Sequence, residues 1–241
     1  MLQDELLFKS KQFSNFRYIG DPLVAVKIFN EKEAQEICIV DIDPQRTNKP
    51  INFKLLKEIA AECFMPLSYG GGIKTLEDIR KVLYAGYEKV ILNSILHENP
   101  IFLGEAVKEF GSSTIICGID YKAENSKYPI YFKNGTQKSD KNVITFSKDL
   151  EDQGAGELFI NNITRDGSMD GMNLEILKIV CEEVNIPIIA AGGIGSLKDI
   201  KEGLSTGVNG IAVGSLFVFK GNLNAVLINY PDSIVLQNLM S

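Results

Sequence analysis

The sequence has one histidine, no Cys-x-x-Cys pair, no apolar run approaching 18 residues and no cluster of basic residues. Each shortage removes a class of function. One histidine, His97, cannot build a typical zinc site without further ligands, and Cys38, Cys63, Cys117 and Cys181 are too scattered to supply them, so no metal is expected. The four cysteines sit in apolar segments and read as reduced core thiols, which fits a cytoplasmic protein. With neither a bilayer-length apolar stretch nor a charged-then-apolar leader, membrane insertion and secretion are both unsupported. A net charge of −6 and a pI near 5.0 argue against a nucleic-acid surface. His97 itself reads as an ordinary surface residue, and the Lys- and Glu-rich stretches at 31–33 and 198–202 read as solvated helix faces.

What is present is a repeat. Pro66-Leu-Ser-Tyr-Gly-Gly-Gly-Ile-Lys-Thr-Leu-Glu-Asp-Ile returns as Pro187-Ile-Ile-Ala-Ala-Gly-Gly-Ile-Gly-Ser-Leu-Lys-Asp-Ile. The same offset of 121 residues carries Leu56 onto Leu177, Gly86 onto Gly207 and Ser94 onto Ser215. Each half reads as helix, apolar strand, glycine turn, helix and second apolar strand, the pattern of half a (β/α) barrel. With 241 residues, 45% of them hydrophobic, the chain suits a single barrel domain, expected over residues 1–231 with residues 232–241 as a tail.

Near-continuous apolar strands are expected at Glu36–Asp41, Pro66–Tyr69, Lys89–Asn93, Thr114–Asp120, Glu157–Asn161, Pro187–Ala191 and Gly210–Gly214, as in a parallel sheet covered by helices. Helix starts are marked by Asp21-Pro22, Thr75, Asn99-Pro100, Asn173 and Ser196. A hairpin is expected around Asn134-Gly135, inside the connection after the fourth strand. These strands number seven where a barrel of this type needs eight, and the deficit is at the beginning. Leu6–Ser10 is a candidate strand, but the full first strand requires either residues upstream of Met1 or an unusual closure.

The duplicated turns imply a duplicated anion site, because glycines after a strand let backbone N–H groups approach a phosphate. Gly71, Gly72, Asn93 and Ser94 would form one cradle, and Gly192, Gly193, Gly214 and Ser215 the other, on opposite sides of the barrel mouth. A ligand with two phosphates follows. Asp120 ends its strand where barrel catalysis occurs, and a carboxylate there can relay protons. Asp41 also ends a strand at the mouth, where it can orient substrate or cap the next turn. Asp166 and Gly167 would add a carboxylate and donors to the second cradle, and Asn162, the repeat counterpart of Asp41, would be an uncharged mouth residue.

The segments Gly20-Asp-Pro, Val40-Asp-Ile-Asp, Tyr69-Gly-Gly-Gly-Ile, Asn93-Ser, Phe110-Gly-Ser, Ile119-Asp, Gly154-Ala-Gly-Glu, Arg165-Asp-Gly-Ser, Ala191-Gly-Gly and Gly214-Ser resemble the cyclase subunit of imidazole glycerol phosphate synthase over nearly the whole chain. The resemblance implies a (β/α)8 barrel without metal or cofactor, working as a heterodimer with a glutaminase. Ammonia from that partner would be added to a linear bis-phosphorylated ribulose aminoimidazole carboxamide, giving imidazole glycerol phosphate and a purine precursor in histidine synthesis. Asp120 matches the second of the family's two catalytic aspartates; the first would fall at or before Met1, and Asp4 lies three residues late. Glu36, Lys89 and Glu157 match three members of a charged ammonia gate at the opposite end of the strands. Phe16-Arg-Tyr-Ile-Gly-Asp-Pro, Phe217-Val-Phe-Lys-Gly and Ala225-Val-Leu-Ile-Asn-Tyr-Pro are more similar to a divergent branch linked to acetamidino sugars of surface polysaccharides. A non-catalytic scaffold that conducts ammonia is a third alternative.

Overall fold

The computed structural model describes residues 1–42, 49–125, 127–221 and 223–240, the last without its side chain. Asp43 of the Val40-Asp-Ile-Asp segment and Ser241 of the tail lie outside the described residues. Seven parallel strands form the body: β4 (Ile37–Val40), β5 (Leu67–Gly70), β6 (Lys89–Leu92), β7 (Ile115–Tyr121), β10 (Glu157–Asn162), β11 (Ile188–Ala191) and β12 (Gly210–Ala212). They pair in that order, each with the next. Parallel neighbours require crossovers, and helices supply them: α2 (Phe53–Glu62), α3 (Leu76–Tyr84), α5 (Phe102–Phe110), α6 (Val143–Asp152), α7 (Leu174–Glu183) and α8 (Leu197–Leu204). The result is a sheet nearly closed into a (β/α)8-type barrel.

Local chemistry explains the helix starts. Asp21 caps α1 (Pro22–Glu31) by accepting from the N–H groups of Leu23 and Val24. Thr75 and Ser196, repeat counterparts, each form a capping box with the aspartate three residues on, Asp78 and Asp199. Asn173 stands at the start of α7 but makes no side-chain cap bond. Asn99-Pro100 serves both sides of a junction: Asn99 ends the short helix α4 (Ser94–Glu98), and its carbonyl accepts from the N–H of Phe102, where α5 starts three residues later. The expected hairpin is present as β8 (Pro129–Phe132) and β9 (Gln137–Asn142), antiparallel and attached to the end of β7.

The barrel has a seam. β4 and β12 are the two ends of the sheet and are not paired with each other. β5 is buried along its whole length and β7 everywhere except Asp120, but Ile37, Cys38 and Val40 of β4 and all three residues of β12 are half-buried. Leu6–Ser10, expected as a possible strand, lies in one (β2, Leu6–Lys11), yet it belongs to a separate three-stranded antiparallel sheet with β1 (Leu2–Gln3) and β3 (Ser14–Gly20). That sheet touches the seam at its mouth end, where Leu2 bridges Asp41 in parallel and its carbonyl accepts from Ile42 N–H.

Ser233–Met240 forms a helix, α9, that contacts α8, and Tyr230 stacks edge-on against Phe29 and Phe217. Of the thiols, Cys117 is buried and the other three are half-buried, all unpaired.

Ile37 and Asp41 donate their N–H groups towards β5, so strand alternation turns those of Cys38 and Val40 towards the seam. Hydrogen exchange should therefore be orders of magnitude faster at Cys38 and Val40 than at Ile91 and Ile116 in the middle of the sheet. Equal protection would mean that the seam is closed in solution.

Candidate active site at the barrel mouth

All seven strands point their carboxyl ends at one face, and the residues singled out from the sequence converge there. A cavity of about 1040 Å³ is lined at that face by Asp41, Gly71, Gly72, Asn93, Ser94, Asp120, Asp166, Gly167, Gly192, Gly193, Gly214 and Ser215. The first glycine turn stands at β5 and β6, the second at β11 and β12. β7 and β10 separate them on one side, β4 and the seam on the other.

The glycines are demanded by crowding as well as conformation. Gly71 has φ +129°, and a Cβ there would lie 2.0 Å from the Asp41 carbonyl oxygen. Gly193 has φ +97°, with its Cβ position 2.0 Å from the Gly171 carbonyl oxygen, while its own carbonyl accepts from Gly171 N–H. Any side chain at either site must push backbone aside.

Asp120 is recessed between the turns. Loss of hydration pushes its carboxyl up to about 6; hydrogen bonds from Asn161 and Asn93 oppose that shift, and the nearby Asp166 charge adds to it. Asn93 Nδ2 donates to one carboxyl oxygen at 2.9 Å and Asn161 Nδ2 to the other at 3.0 Å. Asn93 therefore serves Asp120 as well as the first turn. Asp41 accepts from the buried Tyr69 hydroxyl at 3.0 Å, so its carboxylate is tied to the barrel wall. Asp166 is buried and carries both Lys9 Nζ at 2.9 Å and Ser10 Oγ at 3.0 Å. A Cβ on Gly214 would stand 3.3 Å from Lys9 Nζ, which puts that ammonium beside the second turn.

Two residues depart from the sequence reading. Asn162 does not face the mouth: it is 2% exposed and absent from the cavity lining, packed in the barrel wall opposite Tyr121. Strand alternation turns Asn161 inwards instead. Lys9 was missed because nothing in its local sequence signals a site; the antiparallel β2–β3 sheet carries it across 157 positions to Asp166. Ser215 Oγ, as expected from the repeat, is at the second turn, 4% exposed and without a partner among the described residues. His97 is exposed as expected, though its ring stacks on Phe132 at 4.2 Å.

At the amino ends of the strands, Lys89 Nζ meets Glu157 Oε2 at 2.6 Å. Burial alone would lower Lys89, but the hydrogen bond and charge of Glu157, with Glu36, outweigh it and raise its pKa. Glu36 is raised, by burial first and by Glu157, against the pull of Lys89. The cavity that opens at the mouth also reaches Glu36.

Fold and mouth together define a (β/α) barrel of two repeated halves with its candidate site at the strands' carboxyl ends. The chain belongs to the histidine biosynthesis protein family, whose model matches residues 5–224. It is 44% identical to a Leptospira borgpetersenii protein named "Putative imidazole glycerol phosphate synthase subunit HisF", over 96% of this chain and 92% of that one. It is 40% identical to "Putative imidazole glycerol phosphate synthase subunit hisF2" of Pseudomonas aeruginosa, over 96% and 93%. It is also 34% identical to "Imidazole glycerol phosphate synthase subunit HisF" of Exiguobacterium sibiricum, over 87% and 84%. Among the described residues no group of three or more metal-ligating side chains occurs, and no helix is long and apolar enough to cross a membrane.

Two outcomes follow. A carboxyl ¹³C titration should find Asp120 half-protonated near pH 6. Because the unfolded chain ionises this group near its ordinary 3.8, the folded state loses stability as pH rises from about 4 to about 6 and no further above that window. Gly193→Val should lower the melting temperature, not merely weaken ligand binding; an unchanged midpoint would contradict the close approach of Gly171.

Proposed function

We propose that this chain is a synthase (cyclase) subunit that uses ammonia from a partner glutaminase to convert a linear bis-phosphorylated ribulose aminoimidazole carboxamide into imidazole glycerol phosphate and the aminoimidazole carboxamide ribotide. The observation that carries the proposal is Asp120, held by Asn93 and Asn161 at the carboxyl end of its strand between two repeated glycine turns, where burial pushes its carboxyl up to about 6. A substrate phosphorylated at both ends would lie across the mouth, one phosphate at Gly71, Gly72, Asn93 and Ser94, the other at Gly167, Gly192, Gly193, Gly214 and Ser215. At the second end Lys9, paired with Asp166, would stand beside the phosphate, and the Ser215 hydroxyl, without a partner among the described residues, would donate to it. Asp41 would orient the substrate and Asp166 would hold Lys9 in place.

A carboxyl group poised near neutrality can accept a proton from the adding nitrogen and return it to the departing one, which is the work that ammonia addition and ring closure require. Glu36, Lys89 and Glu157 would admit ammonia at the amino ends of the strands, where the glutaminase would dock, and the cavity from Glu36 to Asp120 gives it a route. A second reading draws on the numbered names hisF2 and hisF3 carried by relatives at 40% and 41% identity: a paralogous barrel in which the same ammonia delivery serves acetamidino sugar formation.

The deciding experiment is turnover of the linear bisphosphate at high ammonium concentration without a glutaminase. Imidazole glycerol phosphate should form, and Asp120→Asn should lower kcat by about 100-fold or more with the fold intact. No product from a folded chain that still binds the bisphosphate would favour the sugar-linked paralogue; full activity of Asp120→Asn would remove the proposed acid–base group.

A further inference from the structure

The clamp on Asp120 is not part of the duplicated design. The offset of 121 residues places Gly214 opposite Asn93 and Val40 opposite Asn161, so neither asparagine has a counterpart in the other half. The two carboxamides come from β10 and from the end of β6, on either side of the Asp120 strand, and each donates to a different oxygen. Two donors on two oxygens fix the carboxylate plane and leave a lone pair on each oxygen free. Asn161 is the better anchored of the two. Its residue is 9% exposed, it stands directly opposite Asp120 in the ladder, and a Cβ on Gly192 would lie only 3.1 Å from its Oδ1. Gly192 thus gives the Asn161 carboxamide room to lie against the second turn while its Nδ2 reaches Asp120.

We propose that Asn161 is a positioning residue for Asp120, holding its carboxylate ionisable and aimed into the cavity; the inference rests on the acid–base role given to Asp120 above. Asp166 acts on Asp120 through space and is itself held by Lys9 and Ser10. Tyr131, opposite Asp120 on β8, gives its hydroxyl to Glu124. Asp41 and the Met1 ammonium lie on the β4 side, where Asp41 accepts from Tyr69 and the ammonium donates to the Phe8 carbonyl. None of these is a hydrogen-bond donor to Asp120, so its orientation depends on Asn93 and Asn161.

The test uses Asn161→Leu, which keeps the branched side-chain skeleton and removes the donor. In the unliganded protein the ¹³C titration midpoint of Asp120 should rise by about one pH unit, the size expected for one hydrogen bond to a charged group. In ammonium-dependent turnover, kcat at pH 7 should fall about tenfold, since lost orientation adds to the protonation change, with KM for the bisphosphate within about twofold. The acidic limb of the pH profile should move up with the midpoint. Asn161→Thr, which retains a donor, should restore part of both; if the leucine variant does not fold, Asn161→Ala supplies the same comparison. An unchanged midpoint in a folded variant, or a KM that moves as far as kcat, would overturn the proposal. A raised midpoint in a protein whose wild type shows no turnover would instead sustain the positioning role and remove the proposed reaction.

Discussion

The register between β7 and β10 is the constraint on which the mouth depends. It sets Asn161 directly opposite Asp120, and strand alternation then aims both into the cavity. A slip of one residue would bring Asn162 or Ile160 opposite Asp120 and turn the inward side chains of one strand outwards. The register is secured by burial on both faces: Leu158, Ile160 and Asn162 pack outwards or into the wall, and the strand partners Ile116, Cys117 and Ile119 are nearly free of solvent. Apolar packing behind the sheet therefore decides which polar atoms meet in front of it.

Duplication supplies the frame and local departures supply the chemistry. Both halves keep the glycine turns, the capping boxes and the serine at the start of the next helix. What the repeat does not contain is polar and asymmetric. Asn93 and Asn161 bind one carboxylate, Lys9 enters from a separate antiparallel sheet, and the β8–β9 hairpin leans over the mouth, where Lys133 N–H donates to Ser94 Oγ and Asn134 donates to the Ile42 carbonyl. The mouth is therefore near-twofold in its turns but not in its polar groups, with Asp120 held between them and Asp166 tied to Lys9 at one side.

The barrel was legible in the sequence because its signals are local: short apolar runs, glycines after them, and Ser, Thr or Asp before each helix. Asp120 and the turn glycines were legible because they sit at strand ends, where residue type and position together carry meaning. Asn162 was misplaced because strand alternation depends on where the strand begins, and a shift of one residue exchanges mouth for wall. The short helix α4 ahead of Asn99 is not legible, because about one turn of helix has no periodicity to detect, whereas the Asn99-Pro100 signal does precede α5. The separation of Leu6–Lys11 from the barrel depended on antiparallel partners at 2–3 and 14–20, which β-type patterning alone does not assign.

The sequence by itself determined the repeated half-barrel plan, the order of its elements and the set of strand ends at which polar residues collect, since these follow from periodicity and turn chemistry along the chain. Tertiary structure alone decided which of those residues meet: that Asn161 rather than Asn162 holds Asp120, that Lys9 pairs with Asp166 beside Gly214, and that β4 and β12 stand apart at a seam. Those outcomes depend on register, on the pairing of distant strands and on loss of hydration in the assembled mouth, none of which a local pattern encodes.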